Sequence, residues 1–403
     1  MMFVTRITLL VAIQGVAGTL VARQSRVDGG VPVKIDVLQP KNFKELGAKR
    51  VKITYGPLAI PSAGDKDTGG MITYSDPNLV VPCTGCFITG MDTDLQWEDG
   101  TTANANKGIW LHHTGLMNLN RTDAGCPEWP ERIGVNGNER SSFDFTTKGT
   151  RKAGYYLQKG DQILKAIDVM NMSDLPRSVY LVMEWEYIEG TPSGFDVVWP
   201  VWLDARGNCF ETPLSKTGVT EAPVFNSTML EPGYTVPFDS DLLLLVPHIH
   251  DGNVAQDIFM DGKLICTSVP AYGETEAFVT HEGMYGHEHE HEEEEPAHEH
   301  GPHRTRKRQD HDHESSGHTY HVSSITQCAN IGKVAKGSKF LLTSYYNMTE
   351  HKPMTGHDGK EEEIMAIEFL HFARPFDEAM KDIQSQGKPN LQSFVDTVRG
   401  LDG

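Results

Sequence analysis

The sequence predicts an all-β protein: two tandem jelly-roll-like β-sandwich domains followed by a short C-terminal helical tail. Three observations carry that expectation. Short runs rich in Val, Ile, Tyr, Phe and Trp recur, among them KRVKITYG, KGIWLHHTG, SVYLVMEWEYI, FDVVWPVWLD, LLLLVPHIH, QDIFMDGKLIC, KFLLTSYYN and EIMAIEFLHF. Gly, Asn, Asp and Pro punctuate them at the spacing of sandwich strands. Long amphipathic helical patterns are scarce; the clearest is FDEAMKDIQSQGKPNLQSFVDTVRG, split by Gly387 and Pro389. Roughly 380 residues beyond a leader exceed one ordinary core, so two domains are expected.

Taken in order, residues 1–22 read as a secretory signal peptide. Arg6 supplies the basic start, ITLLVAIQGVAG the apolar stretch, and Gly18 or Ala22 a small residue for cleavage. That stretch is too short to span a bilayer, and no later segment reaches the ~18 apolar residues a membrane helix needs. The tail SFVDTVRGLDG carries no hydrophobic signal for a lipid anchor. A secreted, extracellular protein without a membrane span is expected. Residues 30–215 form the N-terminal domain, 216–227 a linker, 228–375 the C-terminal domain and 376–403 the helical tail.

The second domain is interrupted by a biased insertion, 274–320, containing GHEHEHEEEEPAHEHGPHRTRKRQDHDHESSGH. Eleven of the 18 histidines fall within 281–321. Such a segment buries too little apolar surface to order itself, so a disordered loop is expected. It is either a loosely structured buffer for copper or zinc or a solvated acidic loop. Its basic run, Arg304-Thr305-Arg306-Lys307-Arg308, suits a kexin-like protease cutting after Arg308. The net charge of −19 argues against nucleic acid and anionic membranes as partners.

Four sequons, at Asn120, Asn171, Asn226 and Asn347, and an even count of six cysteines agree with export. Cys266 and Cys328 sit in strand-like runs flanking the same insertion, so a bridge between them is expected. Cys83-Thr84-Gly85-Cys86 suits a redox pair, half a zinc site or a structural disulfide; export favours the disulfide. The connectivity of Cys83, Cys86, Cys126 and Cys209 stays open at this point.

Two histidine motifs carry the chemistry. In a strand, residues two apart share a face, so His248 and His250 can hold one ion together with Ile249 turned to the core. The adjacent pair His112 and His113 needs a bend or bulge to converge. Imidazole suits copper, zinc, iron and nickel, and a thioether partner narrows the choice to copper. Met365 is the candidate thioether, with His351 and Met354 in reserve. The chain has no G-x-S-x-G elbow, HExxH helix, P-loop or GxGxxG after a strand.

The order His-His, third ligand on a strand, His-x-His, late Met resembles the type II copper, ascorbate-dependent monooxygenases that hydroxylate peptidylglycine or dopamine. PHIHDGNVAQDIFMDGKLI, SSITQCANIGKVAKGSKFLLTSYYN and EEEIMAIEFLHF extend the resemblance through the second half. It implies two domains with one copper each. The catalytic copper would sit on His248, His250 and Met365, and the electron-transfer copper on His112 and His113. The third histidine of the latter site falls on Glu186, in SVYLVMEWEYIEG, a harder ligand that would hold Cu(I) poorly. A closer resemblance is carried by PCTGCFITGM, EDGTTANANKGIWLHH, NGNERSSF, VWPVWLD, HIHDG and the YYNMTEHKPM…IMAI block. It covers most of residues 80–372 and is to fungal secreted proteins related to the plant stress-up-regulated nodulin-type family.

The expectation is thus a secreted, disulfide-bonded copper glycoprotein. In one form it hydroxylates a C–H bond of a small molecule or peptide with O2, ascorbate being the reductant. The alternative is a non-catalytic copper- or zinc-binding protein of metal acquisition or stress.

Overall fold

The computed structural model describes residues 31–205, 222–281, 318–354 and 364–392. The expected signal peptide, part of the expected linker, the body of the histidine-rich stretch with Arg308, Cys209 and the end of the expected tail lie outside them. The described chain is mostly strand, with one ten-residue α-helix, Phe376–Ser385. The aromatic and β-branched runs named above all form strands.

One long sheet runs through the molecule. Its order is Pro32–Leu38, Lys49–Ile60, Arg177–Glu189, Cys86–Gln96, Ala153–Leu157, Asp196–Asp204, Ala366–Pro375, Ser240–Ile249 and Cys328–Val334. A four-stranded sheet (Met71–Asp76, Ile163–Asn171, Ile109–Thr122 and Pro130–Asn136) packs on it to enclose a first core. A sheet built on Val224–Thr228, Lys339–Asn347, Asn253–Met260 and Lys263–Ser268 encloses a second. Asp196–Asp204, a first-domain run by sequence, pairs along its length with Ala366–Pro375 and only briefly with Ala153–Leu157.

The strands where the halves meet are buried on both faces. In Ala366–Pro375, Ile367, Phe369 and Ala373 enter the first core, while Ala366, Leu370 and Phe372 enter the second. Burial on both sides explains why these runs read as nearly continuous apolar stretches rather than as alternating ones. Within Ser240–Ile249 the register slips between Leu242 and Leu244 against both neighbours. One extra residue reverses the parity of all that follows. Leu242 faces the second core, whereas Leu244 and Val246 face the first. His248 and His250 continue that parity and are carried toward the first half. Pro247 fits here because the pairing with Cys328–Val334 ends at Leu245, so no neighbour on that side requires its missing N–H.

Glu368 spans the second core, where Gln256 Nε2 donates to its Oε2 at 2.7 Å. Burial pushes the Glu368 carboxyl up to about 8 from 4.5. The folded chain therefore keeps a proton that the unfolded chain releases. The associated stability is complete below the unfolded value and is lost as the pH rises through the folded one. Melting temperature is expected to fall across that window. Glu368→Gln, which mimics the neutral carboxyl, should flatten the fall and raise stability near pH 8 by a few kcal/mol. Melting curves of both proteins from pH 4.5 to 8.5 measure it; parallel curves would refute it.

Cys266 and Cys328 are bridged, as are Cys83 and Cys86; Cys126 is also disulfide-bonded, and no described cysteine is free. Both ends of the expected insertion, 274–320, carry short strands. Val279–His281 pairs with His318–Tyr320 in a short hairpin, anchored by the buried Val279. Val224–Thr228, which overlaps the stretch expected as linker, is an edge strand on Lys339–Asn347. Of the sequons, Asn120 and Asn226 are exposed and Asn347 is partly so. Asn171 is buried, and its Nδ2 donates to the carbonyls of Pro61 and Leu175, each at 2.8 Å. That amide is part of the fold and offers no place for a glycan.

Candidate metal centre

The two histidine motifs come together. In Ile109–Thr122, Leu111 pairs with Val169 and His113 with Asp168, leaving His112 as the extra residue of a β-bulge. The bulge turns adjacent side chains toward one another, as a His-His pair requires, and their ring centroids lie 4.1 Å apart. From the other half, the parity set at Leu242/Leu244 brings His248 and His250 to meet them. His113 Nε2 lies 3.0 Å from His250 Nε2. Ring centroids are 5.1 Å apart for His112 and His250, and 5.1 Å for His113 and His248. Nitrogens of His112, His113 and His250 all lie within 4.8 Å of one another. The expectation of two centres, one per domain, is thus replaced by a single cluster of four imidazoles.

Two carboxylates orient this cluster. Glu139 Oε1 lies 2.9 Å from His248 Nδ1, and Asp168 Oδ2 lies 3.2 Å from His113 Nδ1. Burial opposes the charge on Glu139, but the His248 imidazole and backbone amides outweigh it and hold the carboxyl below the usual range. Burial likewise opposes ionisation of Asp168, and the hydrogen bond from His113 outweighs it. Ionised carboxylates only accept, so each Nδ1 carries a proton, and in the neutral ring the lone pair is then on Nε2. This is the arrangement that metal-bound histidines adopt with their outer partners. Among the described residues, His248 Nε2 is buried without a partner, and so are both nitrogens of His112. Burial, then the neighbouring His113, pushes His112 down to about 3, so its ring is neutral and able to ligate.

These residues fit a metal ion. Two imidazoles bound to one ion at roughly 2.0–2.1 Å each stand about 3 Å apart at angles near 90–100°, which matches the contact between His113 and His250. An all-imidazole donor set suits copper or zinc.

The other expected ligands fall differently. Glu186 is not in the cluster. Its carboxylate accepts from Lys41 N at 2.5 Å and Asn42 N at 2.9 Å, in a separate groove it shares with Arg50 and Glu184. The reason is register: Glu186 pairs with Arg50 and Gly90 in the long sheet, whereas His113 pairs with Asp168 in the four-stranded one. Asp168 therefore stands beside the His-His pair where Glu186 was expected. Met365 does neighbour the His-x-His strand, its carbonyl accepting from His250 N at 3.2 Å. Its side chain packs against the first core. The thioether in the wall of the adjoining pocket belongs to Met354. His351 stacks face to face on Tyr272, 3.5 Å between centroids.

A pocket of about 450 Å³, counting its mouth, opens on His112, His248 and His250. Trp110 forms part of its wall and packs edge-on against His321. His321 Nδ1 lies 2.6 Å from Asp251 Oδ2 and its Nε2 lies 2.8 Å from Thr280 Oγ1, tying the loop after His250 to the neck of the insertion. Sequence reasoning missed Glu139, Asp168, Asp251 and His321. Glu139 lies in NGNER, a segment already singled out, but nothing local marks it as a partner for a histidine 109 residues away.

No protein-family model matches the chain. The chain is 27% identical over 328 residues, 80% of it and 72% of the relative, to "Probable copper-dependent oxygenase M1" of Phoma sp.. It is 26% identical over 289 residues, 70% of it and 78% of the relative, to "Probable copper-dependent oxygenase clz3" of Cochliobolus lunatus. Among solved structures, peptide N-glycanase F aligns at 11% identity and a TM-score of 0.37, covering 81% of this chain and 95% of that one. PNGF-II aligns at 10% and 0.38, covering 80% and 65%. Overlaps this loose support no inference about fold or activity.

Proposed function

We propose that the chain is a secreted copper-dependent oxygenase whose metal is held by His112, His113, His248 and His250. The observation that carries this reading is the meeting of four imidazoles from two distant segments, two of them backed by ionised carboxylates. The names of the two relatives support copper and an oxygenase-like family. Disulfides suit an exported chain, and no described helix is long and apolar enough to cross a membrane.

Bound copper would supply the redox centre at which O2 is reduced. In the overall reaction one oxygen atom enters a substrate C–H bond to give an alcohol. The other leaves as water, with two electrons and two protons from a reductant such as ascorbate. Glu139 and Asp168 hold protons on His248 Nδ1 and His113 Nδ1, which would leave the Nε2 lone pairs for a metal ion. The apolar pocket wall keeps bulk water from the reacting carbon. The test is copper titration of the purified protein, followed by oxygen-electrode measurement with ascorbate. Tight copper binding with ascorbate-dependent O2 uptake is expected. Tight binding without uptake would favour a copper-binding protein of metal acquisition, and no tight binding would end both readings.

A further inference from the structure

The pocket beside the four imidazoles has a distinct chemical character. Trp110, Leu111, Ile249, Val322, Pro353 and Ile364 give it an apolar wall, and among the described residues no lysine or arginine lines it. Its two carboxylates are engaged: Glu139 with His248, and Asp251 with His321 and the Val322 amide. With no metal bound, an anionic ligand would find no counter-charge among these side chains, and a cationic one would find both carboxylates already paired.

Besides the imidazole nitrogens, one polar group in this wall is unmatched. Asn138 lines the pocket, and its Nδ2 is buried without a hydrogen-bond partner among the described residues. The orientation of the amide follows from its neighbour. Arg140 Nη1 donates to Asn138 Oδ1 at 3.1 Å, and a guanidinium can only donate. The oxygen therefore belongs on the Arg140 side, and the NH2 is the end left over. Arg140 itself is held by Asp94 at 2.8 Å and the Ala103 carbonyl at 2.7 Å, so this arrangement is fixed. Burying a donor with no acceptor is unfavourable, and a ligand oxygen would relieve it.

We infer that the pocket takes an uncharged, largely apolar substrate bearing an acceptor oxygen (a carbonyl, ether or hydroxyl), and that Asn138 Nδ2 donates to that oxygen. Asn138 is then the residue that orients the substrate against the imidazoles, and the metal-free pocket disfavours carboxylate-bearing ligands. The inference rests on the oxygenase reading for its reaction but not for its binding preference.

The test uses the full-length, metal-free protein and three probes of one size: acetophenone, ethylbenzene and benzoate. Binding is followed by saturation-transfer NMR titration. Acetophenone should bind roughly 5–10-fold more tightly than ethylbenzene, the worth of one net hydrogen bond, and benzoate more weakly than either. Asn138→Leu should bring acetophenone down to the ethylbenzene level while leaving ethylbenzene unchanged. Asn138→Asp keeps the acceptor for Arg140 and removes the donor, so it should likewise lose the acetophenone preference. Benzoate binding as well as acetophenone, no binding by any probe, or a preference that survives both substitutions would overturn the inference. Copper titration of the same proteins separates the two ideas. Absence of copper binding with the preference intact would sink only the oxygenase reading; copper binding without the preference would sink only this one.

Discussion

Replacing His250 with alanine should lower copper affinity by more than about 100-fold. Loss of an outer-shell partner alone typically costs 10–100-fold, and His250 would touch the ion directly. The same replacement should make His113 nearly dispensable. His113 Nε2 and His250 Nε2 stand 3.0 Å apart, so they act on one ion, and groups acting on one ion are strongly coupled. His113→Ala in the His250→Ala background should therefore cost far less than His113→Ala alone. Isothermal titration of the four proteins with copper closes the cycle. Additive losses would mean two independent sites, one for each histidine motif.

A single methyl group should do almost as much damage as removing Glu139. Gly137 lies in the turn that presents Glu139, and a Cβ built there meets Glu139 Oε2 and His248 Cε1 at 2.6 Å each. Real Cβ atoms do not tolerate such contacts, and both crowded groups belong to the pair that orients His248. Gly137 N also donates to Glu139 Oε1 at 3.1 Å, so the carboxylate cannot swing away without losing that bond. Gly137→Ala should therefore weaken copper binding by about 10–100-fold. A buried site with limited freedom should register the strain in its melting temperature as well. Unchanged copper affinity in a folded Gly137→Ala protein would show that the His248–Glu139 pair does not orient a ligand.

Much of this architecture is legible in the sequence because it depends on local pattern. Aromatic and β-branched runs between turn residues are strands whatever their partners, and all the runs singled out form strands. The pairing of Cys266 with Cys328 follows from their places on either side of one insertion. His248 and His250 share a face by strand periodicity alone, and adjacency of His112 and His113 demands a bulge, which the structure has at His112. What a one-dimensional pattern does not contain is which face a strand turns to which core. That depends on the slip at Leu242/Leu244, invisible in the run LLLLVPHI because both faces there are buried. The slip sends His248 and His250 toward the first half and merges two expected centres into one. Glu186 was aligned with the His-His pair by motif order, but register places it in another sheet with the amides of Lys41 and Asn42. Glu139, Asp168 and Asn138 are ordinary polar residues by sequence, and their roles come only from what the fold sets beside them.

Diffraction from copper-loaded crystals at the copper absorption edge decides whether the four histidines form one centre. A single anomalous peak is expected in contact with both His113 Nε2 and His250 Nε2, with His112 and His248 completing the surroundings. Two separate copper peaks, each held by only one of the histidine pairs, would contradict it.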